Sequence, residues 1–363
     1  MARIIAFYLP QFHPVPENDK WWGKGFSEWT AVAKAKPLFK GHQQPNIPAD
    51  LGFYDLRLPE SRIAQAELAR KFGIEGFCYW HYWFGNGKQL LERPFNEVVL
   101  SGEPDFPFSL GWANTSWEKN LWDSKGNSST IVEQLYPGIH DYKAHFYSLL
   151  PAFKDRRYIK VNDKLFFIIY KPLNNKTEIR SFIKTWQELA NENGLNGFYF
   201  VGLALMGKNK EEILDLGFDA VYNDSLTGVH SQLPLTHKIF LFLKMKAIKE
   251  VRRFKYEDAW KYFTSEEDAS ITSIPTIIPR WDHSPRSGSK GFILTGSTPE
   301  LFKKHVKKVL RIIKEKPPEN QIAILKSWNE WGEGNYIEPD LKYGTQYLEV
   351  LSESLKEESK KSN

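Results

Sequence analysis

From Leu165 to Leu205 the chain reads LFFIIYKPLNNKTEIRSFIKTWQELANENGLNGFYFVGLAL, and this stretch decides the fold class. Leu165–Lys171 and Gly197–Ala204 are near-continuous apolar runs of strand length. Runs without polar alternation are expected of parallel strands buried on both faces. The segment between them, TEIRSFIKTWQELANENG, places its apolar residues at helical spacing. Only Gly194–Asn196 separate its end from the next strand.

The same strand-then-helix grammar runs outward in both directions. Strands are predicted at Arg3–Pro10, Ile74–Trp83, Phe108–Asn114, Leu165–Lys171, Gly197–Ala204, Asp219–Asn223, Ile274–Pro279 and Ile322–Trp328. LPESRIAQAELARKFG carries an apolar stripe of Ile63, Ala66, Leu68 and Ala69, stopped by Gly73. DYKAHFYSLLPAFK and TPELFKKHVKKVLRIIKEK read as helices too, the latter with Thr298 as N-cap and Glu300 in its first turn. Eight such units in 363 residues fit a single (β/α)₈ TIM barrel. A doubly wound sheet is the rival, but no G-x-G-x-x-G follows any strand. Connections into the strands are short, whereas Gln11–Arg57 and Thr115–Gly138 leave them as long loops. Elaboration at one end places the site at the C-terminal face of the strands. Residues 1–352 are read as the barrel domain and 353–363, ending in KEESKKSN, as a solvated tail.

Composition sets outer limits. With 41% hydrophobic and 26% charged residues the chain is globular, and no apolar run approaches a membrane span. The start, MARIIAFYLPQFHP, lacks the pattern of a signal peptide, and Cys78 is the only cysteine. The expected location is therefore cytoplasmic. Net charge is +5, but seven basic residues and one acid between His237 and Tyr256 account for +6. The remainder is near neutral, which argues against nucleic acid as a partner. The basic stretch at about 237–256 reads as an amphipathic excursion. It has two readings: packing on the barrel with a solvated basic face, or peripheral contact with an anionic membrane.

The chemistry concentrates at strand ends. Strand 8 runs into Lys326-Ser-Trp-Asn-Glu-Trp-Gly-Glu-Gly-Asn335, where Glu330 and Glu333 converge if the chain turns. Gly332 and Gly334 supply the freedom for that turn. An arbitrary E-x-x-E is usually a pair of solvated charges. Here the barrel mouth and the aromatic frame of Trp328, Trp331 and Tyr336 favour glycoside hydrolysis by paired carboxylates. Tyr8, Trp80, Tyr82, Trp112, Tyr170, Tyr222 and Trp281 lie where strands end, beside the polar Gln11, His81, Asn114, Arg280, Asp282 and Asn329. Flat rings with polar companions suit stacking on sugars, although barrel packing claims a share of them. No metal-ligand spacing appears among the nine histidines, and no G-x-S-x-G nucleophile elbow is present. Neither metal nor cofactor is expected.

Four blocks together carry a family resemblance: IAFYLPQFHPVPENDKWWGKGFSEWT, GFCYWHYWF, IPRWDHSPR and SWNEWGEGNYIEPD. With them the chain resembles the WbsX-type proteins, which are similar to glycoside hydrolase family 99, the endo-acting α-mannosidases and mannanases. The resemblance implies a (β/α)₈ barrel, an oligo- or polysaccharide substrate and retention of anomeric configuration without a glycosyl ester on the enzyme. It also implies that Glu330 is the base acting on the substrate's own 2-hydroxyl and that Glu333 is the acid, then base. Tyr8, Trp80 and Tyr82 fall where that family presents aromatics to sugar. The family's NEWHEG-like run reads Asn329-Glu-Trp-Gly-Glu-Gly334 here, with Gly332 in place of histidine. The change leaves the carboxylates intact and bears on the family's mannose-specific contacts. WbsX-type relatives sit among proteins of surface-polysaccharide, including O-antigen, assembly and carry a glycosyltransferase label. The expected function is therefore hydrolysis or remodelling of an α-linked bacterial polysaccharide or its lipid-linked precursor. Transfer to a sugar acceptor and non-catalytic glycan binding are the alternatives.

Overall fold

A computed structural model describes residues 2–118, 130–205, 208–224, 226, 229 and 251–360. Eight parallel strand positions form one sheet: β1 (Arg3–Tyr8), β2 (Gly76–Trp83), β3 (Phe108–Trp112), β4 (Lys164–Ile169), β5 (Phe198–Leu205), β6 (Ala220–Asp224), β7 (Ser273–Ile274 with Thr276–Ile277) and β8 (Ile322–Leu325). Each pairs with its sequence neighbour, and β8 pairs back onto β1 through Arg3 opposite Ile322. The two short pieces of β7 complete the circuit. Ser273–Ile274 pair with β6 and Thr276–Ile277 with β8. Pro275 lies between them with its carbonyl accepting from the Ile324 amide at 3.0 Å. Proline has no amide hydrogen for a ladder, so the break falls where a donor would be lost anyway.

Both faces of the strands are buried, as their composition demands. Ile5, Phe7, Cys78, Phe166, Ile168, Val201, Tyr222, Ile274, Ile322 and Ile324 fill the barrel interior. Their alternates, including Ile4, Ala6, Tyr8, Phe77, Tyr79, Leu110 and Phe167, pack outward against the helices. Those helices include α1 (Pro59–Lys71), α2 (Arg93–Ser101), α3 (Ile139–Phe153), α4 (Lys176–Glu192), α5 (Lys210–Leu214), α6 (Pro299–Lys314) and α7 (Gln346–Lys360). Thr298 caps α6, its hydroxyl accepting from the Leu301 amide at 3.3 Å.

Three expectations change. The inward face of α1 is Arg62, Gln65, Ala66 and Ala69, with Ile63 only half-buried. Its polar members are satisfied there: Gln65 accepts from the Tyr8 hydroxyl and donates to Glu338, each at 2.7 Å. The tail expected from 353 onward is instead the second half of α7, with Ser354 buried and Leu355 packed on the core. Glu353 and Glu357 pair with Lys303 and Lys307 of α6, which holds this charged segment down. Of the basic stretch, 237–250 lie outside the described residues. Arg252–Lys255 form a strand paired in parallel with Phe292–Thr295 rather than a helix turn.

Candidate active site

A cavity of about 1320 Å³ opens at the C-terminal ends of the strands. The chain reaches it from β8 by a tight reversal. Asn329–Glu330 pair antiparallel with Asn335–Tyr336, and Trp331–Glu333 make one 3₁₀ turn between them. Gly334 sits at φ +53°, and a Cβ there would come within 2.7 Å of the Asp282 Cβ. Its freedom is therefore required twice over. The reversal brings Glu330 and Glu333 to the same cavity wall.

One guanidinium holds both. Arg286, from the short helix Ser284–Ser287, donates from Nη2 to Glu330 and from Nη1 to Glu333, each at 2.6 Å. The same Nη2 also reaches Glu28 at 2.7 Å. Glu28 comes from the long loop after β1, is fully buried, and accepts the Gly332 amide at 2.8 Å. A Cβ on Gly332 would stand 1.9 Å from the Glu28 carboxylate oxygen. Gly332 is thus glycine for want of space, and the residue that takes the space is Glu28. The histidine of the resembling family cannot occupy this position while Glu28 does.

Three carboxylates around one cation in a buried place leave an excess of negative charge, which burial makes costly. Burial raises Glu330 to about 8, and Glu333 and Glu28 add to that rise against the pull of Arg286. Burial also pushes Glu333 upward, but Arg286, His283 and Lys326 outweigh it and bring it to about 2. Glu28 is raised by burial, with Arg286 opposing. Burial and its acidic neighbours thus favour the protonated form of Glu330, and Arg286 favours the ionised form of Glu333.

Aromatic rings line much of the rest of the cavity. Trp80 stacks on Phe7 with ring centroids 4.5 Å apart, and Tyr170 meets Trp80 edge-on at 5.5 Å. Gly111 makes this arrangement fit, since a Cβ there would approach the Trp80 ring to 3.1 Å. Tyr82 and Trp117 form a second edge-on pair at 5.2 Å.

Of the residues expected from sequence, Gln11, Trp80, Tyr82, Tyr170, Tyr222, Trp281, Glu330 and Glu333 line the cavity. The other eight point elsewhere. Tyr8 faces α1 and donates to Gln65, whereas its neighbour Phe7 faces the cavity. His81 turns away from the cavity and meets the His145 ring at 2.8 Å, and burial lowers it to about 3. Trp112 is buried against Phe182 with its indole donating to the Trp83 carbonyl. Asn114 ties the end of β3 to Lys171 through both its amide atoms. Arg280 pairs with Asp340 and lies between the rings of Tyr336 and Tyr347. Asp282 accepts from His42 and Gln44. Asn329 bonds both backbone groups of Leu9. Trp331 stacks on Tyr336 at 3.7 Å and donates to Glu338. These side chains build the support beneath the site. Sequence reading missed Glu28, His283, Arg286 and Lys326, although the first three stand in blocks that carry the resemblance. Among the described residues no cluster of histidine, cysteine and carboxylate side chains is arranged to hold a metal.

The comparisons agree with this architecture. The family model described as Glycosyltransferase WbsX matches residues 4–351. The chain belongs to the WbsX family. Two WxcX proteins, from Xanthomonas campestris pv. campestris strains B100 and ATCC 33913, are each 31% identical over 360 residues. The match covers 98% of this chain and 50% of theirs, so the chain spans about half the length of these curated relatives. Among solved structures, a GH99 endo-α-mannosidase from Bacteroides thetaiotaomicron in complex with bis-tris-propane superposes with a TM-score of 0.61 at 13% identity, over 99% of both chains. A glycoside hydrolase-like protein does so with 0.60 at 16% identity, over 97% of this chain and 93% of its own. The fold is that of the family 99 barrel. No described helix is long and apolar enough to cross a membrane.

Proposed function

We propose that this WbsX-family chain is a glycoside hydrolase-like enzyme acting on an α-linked bacterial polysaccharide or its lipid-linked precursor. The observation that carries the reading is the Glu330–Glu333 pair, clamped on one guanidinium in a cavity that aromatic rings also line. A pair in which one carboxyl favours its proton and the other its charge has what glycosidic cleavage needs: an acid for the leaving oxygen and a base for the attacking group. The aromatic wall offers flat faces to sugar rings, and a cavity this size has room for more than one of them.

The family resemblance assigns the base to Glu330 and the acid to Glu333. In the free site the surroundings favour a protonated Glu330 and an ionised Glu333, so these roles require substrate binding to reverse that preference. A hydroxyl presented to Glu330, together with a leaving oxygen at Glu333, supplies the change of partner. Arg286 stays attached to both and balances whichever carboxylate is ionised.

Transfer to a sugar acceptor is the second reading, favoured by the description of the family as glycosyltransferases. The test is incubation with α-linked and bacterial surface glycans, with product anomers followed by proton NMR beside Glu330→Gln and Glu333→Gln. A product of retained configuration, absent in both variants, supports the hydrolase reading. Product formed only with an added sugar acceptor supports transfer. Full activity in Glu333→Gln overturns the pair.

A further inference from the structure

Among the described residues that line the cavity, cations outnumber carboxylates. Its carboxylates among the described lining residues are Glu330 and Glu333, and Arg286 already engages both. Lys208, Arg252 and Lys290 line the same cavity and form no ion pair with any described residue. They come from three separate connections, after β5, β6 and β7. The Arg252 guanidinium lies 6.0 Å from the Phe292 ring, opposite it in the two-stranded sheet.

Exposed lysines scattered over a convex surface are ordinary. Like charges from three loops that line one concavity add their fields there, and a concave, aromatic-lined site focuses that field. A neutral sugar gains nothing from that arrangement, because its hydroxyls are served as well by uncharged donors. An anion bound among the cations is stabilised by that field and adds charge-assisted hydrogen bonds.

Resting on the carbohydrate reading above, we propose that the substrate is an anionic glycan, whose fixed negative group is held by Lys208, Arg252 and Lys290 beside the Glu330–Glu333 pair. Two sources supply the same chemistry: the carboxylate of a uronic acid, or the phosphate or diphosphate of a glycosyl phosphate. In this division of work the rings meet the sugar faces and the cations meet the charge.

The test is calorimetric titration of the full chain, made catalytically silent by Glu330→Gln, against two matched pairs. One pair is an oligogalacturonate and its neutral methyl ester. The other is a glycosyl diphosphate oligosaccharide and the same oligosaccharide without the diphosphate. At about 50 mM salt the charged member of one pair should bind at least ~10-fold more tightly, and the advantage should shrink as salt shortens the screening length. The pair that shows the preference names the source. Replacing Lys208, Arg252 and Lys290 together with glutamine should erase the advantage and leave neutral-glycan affinity and melting temperature unchanged. Neutral members binding as tightly as charged ones would overturn the inference while leaving the carbohydrate reading in place. Inorganic diphosphate binding alone, with no glycan of either charge bound, would sink both.

Discussion

Phe7, Trp80, Tyr82, Trp117 and Tyr170 face the cavity from the β1–β4 side, where no described lining residue is charged; Arg286, Glu330, Glu333 and the lysines face it from β5–β8. The two walls obey different physics. On the proposed reading the aromatic wall acts through area and shape, interactions that would grip a substrate before and during reaction alike. The charged wall acts through fields that change as protons move, and those distinguish a transition state from a ground state. The apolar wall also strengthens the other by keeping its surroundings poorly polarisable. Variants on the two sides should therefore fail in different ways.

The largest effect belongs to the charged wall. Glu330→Gln and Glu333→Gln should each lower kcat by ~10²–10⁴-fold while leaving glycan affinity within a few-fold. Steady-state kinetics beside binding of the same glycan would check this. A loss of affinity that matches the loss of rate would mean the glutamates grip rather than react, and the contrast between the walls would collapse.

Next comes Gly332→Ala, which changes no charge. Its methyl group needs the space of the Glu28 carboxylate, 1.9 Å away, and should drive Glu28 off the Gly332 amide and off Arg286. With the clamp loosened, kcat/KM should fall by ~10²-fold, in keeping with the cost of disrupting a buried ion-pair network. In a Glu28→Ala background the same substitution should cost much less, since only the Arg286 Nε, 2.9 Å from the added Cβ, has still to move. A double-mutant cycle decides, and additive losses would show that Gly332 answers to something other than Glu28.

This coupling also shows where sequence reading runs out. The strands were legible because parallel, doubly buried segments such as Phe198–Leu205 are apolar without interruption. That same property hid their facing. When both faces are apolar, no alternation says whether Phe7 or Tyr8 turns inward, and Tyr8, His81 and Trp112 were assigned to the wrong side. Glu330 and Glu333 were legible as a pair because one turn of chain joins them. Glu28 and Arg286 were not, because they stand 258 positions apart and only the closed barrel brings them together. Arg280, Asp282 and Asn329 have the polarity of substrate ligands, yet the hydrogen bonds they make reach Asp340, His42 and the Leu9 backbone. Polarity near a strand end predicts a hydrogen bond and leaves its partner unspecified.

On the aromatic wall, Trp80→Ala should raise KM by about tenfold with kcat nearly unchanged, the pattern of lost uniform binding. Its ring is stacked on Phe7 and partly exposed to the cavity, so the loss falls on substrate contact. The measurement is again kcat against KM. A fall in kcat alone would place part of the chemistry on this wall and blur the division.

The smallest effect tests whether the charged wall is itself uniform, and it needs no substrate. Glu330, raised to about 8 by burial with its acidic neighbours, favours the folded state while protonated. That contribution is complete below the ordinary carboxylate range and is lost as pH rises through about 8. Glu333, brought down to about 2 because Arg286, His283 and Lys326 outweigh its burial, behaves oppositely. Its contribution is present above the ordinary range and is lost as pH falls through about 2. At pH 8 and above, Glu330→Gln should therefore melt higher than the parent chain, since it removes a buried charge that the site tolerates poorly. Glu333→Gln should melt lower, since it removes one that Arg286 holds firmly. Each kcal/mol corresponds to roughly 2–4 °C in a chain somewhat smaller than this one. Melting curves from pH 5 to 9 would show the Glu330→Gln advantage growing with pH and levelling off above about 8. Shifts of the same sign in both variants would mean that the two glutamates share one environment, and neither would be the preferred site for a proton.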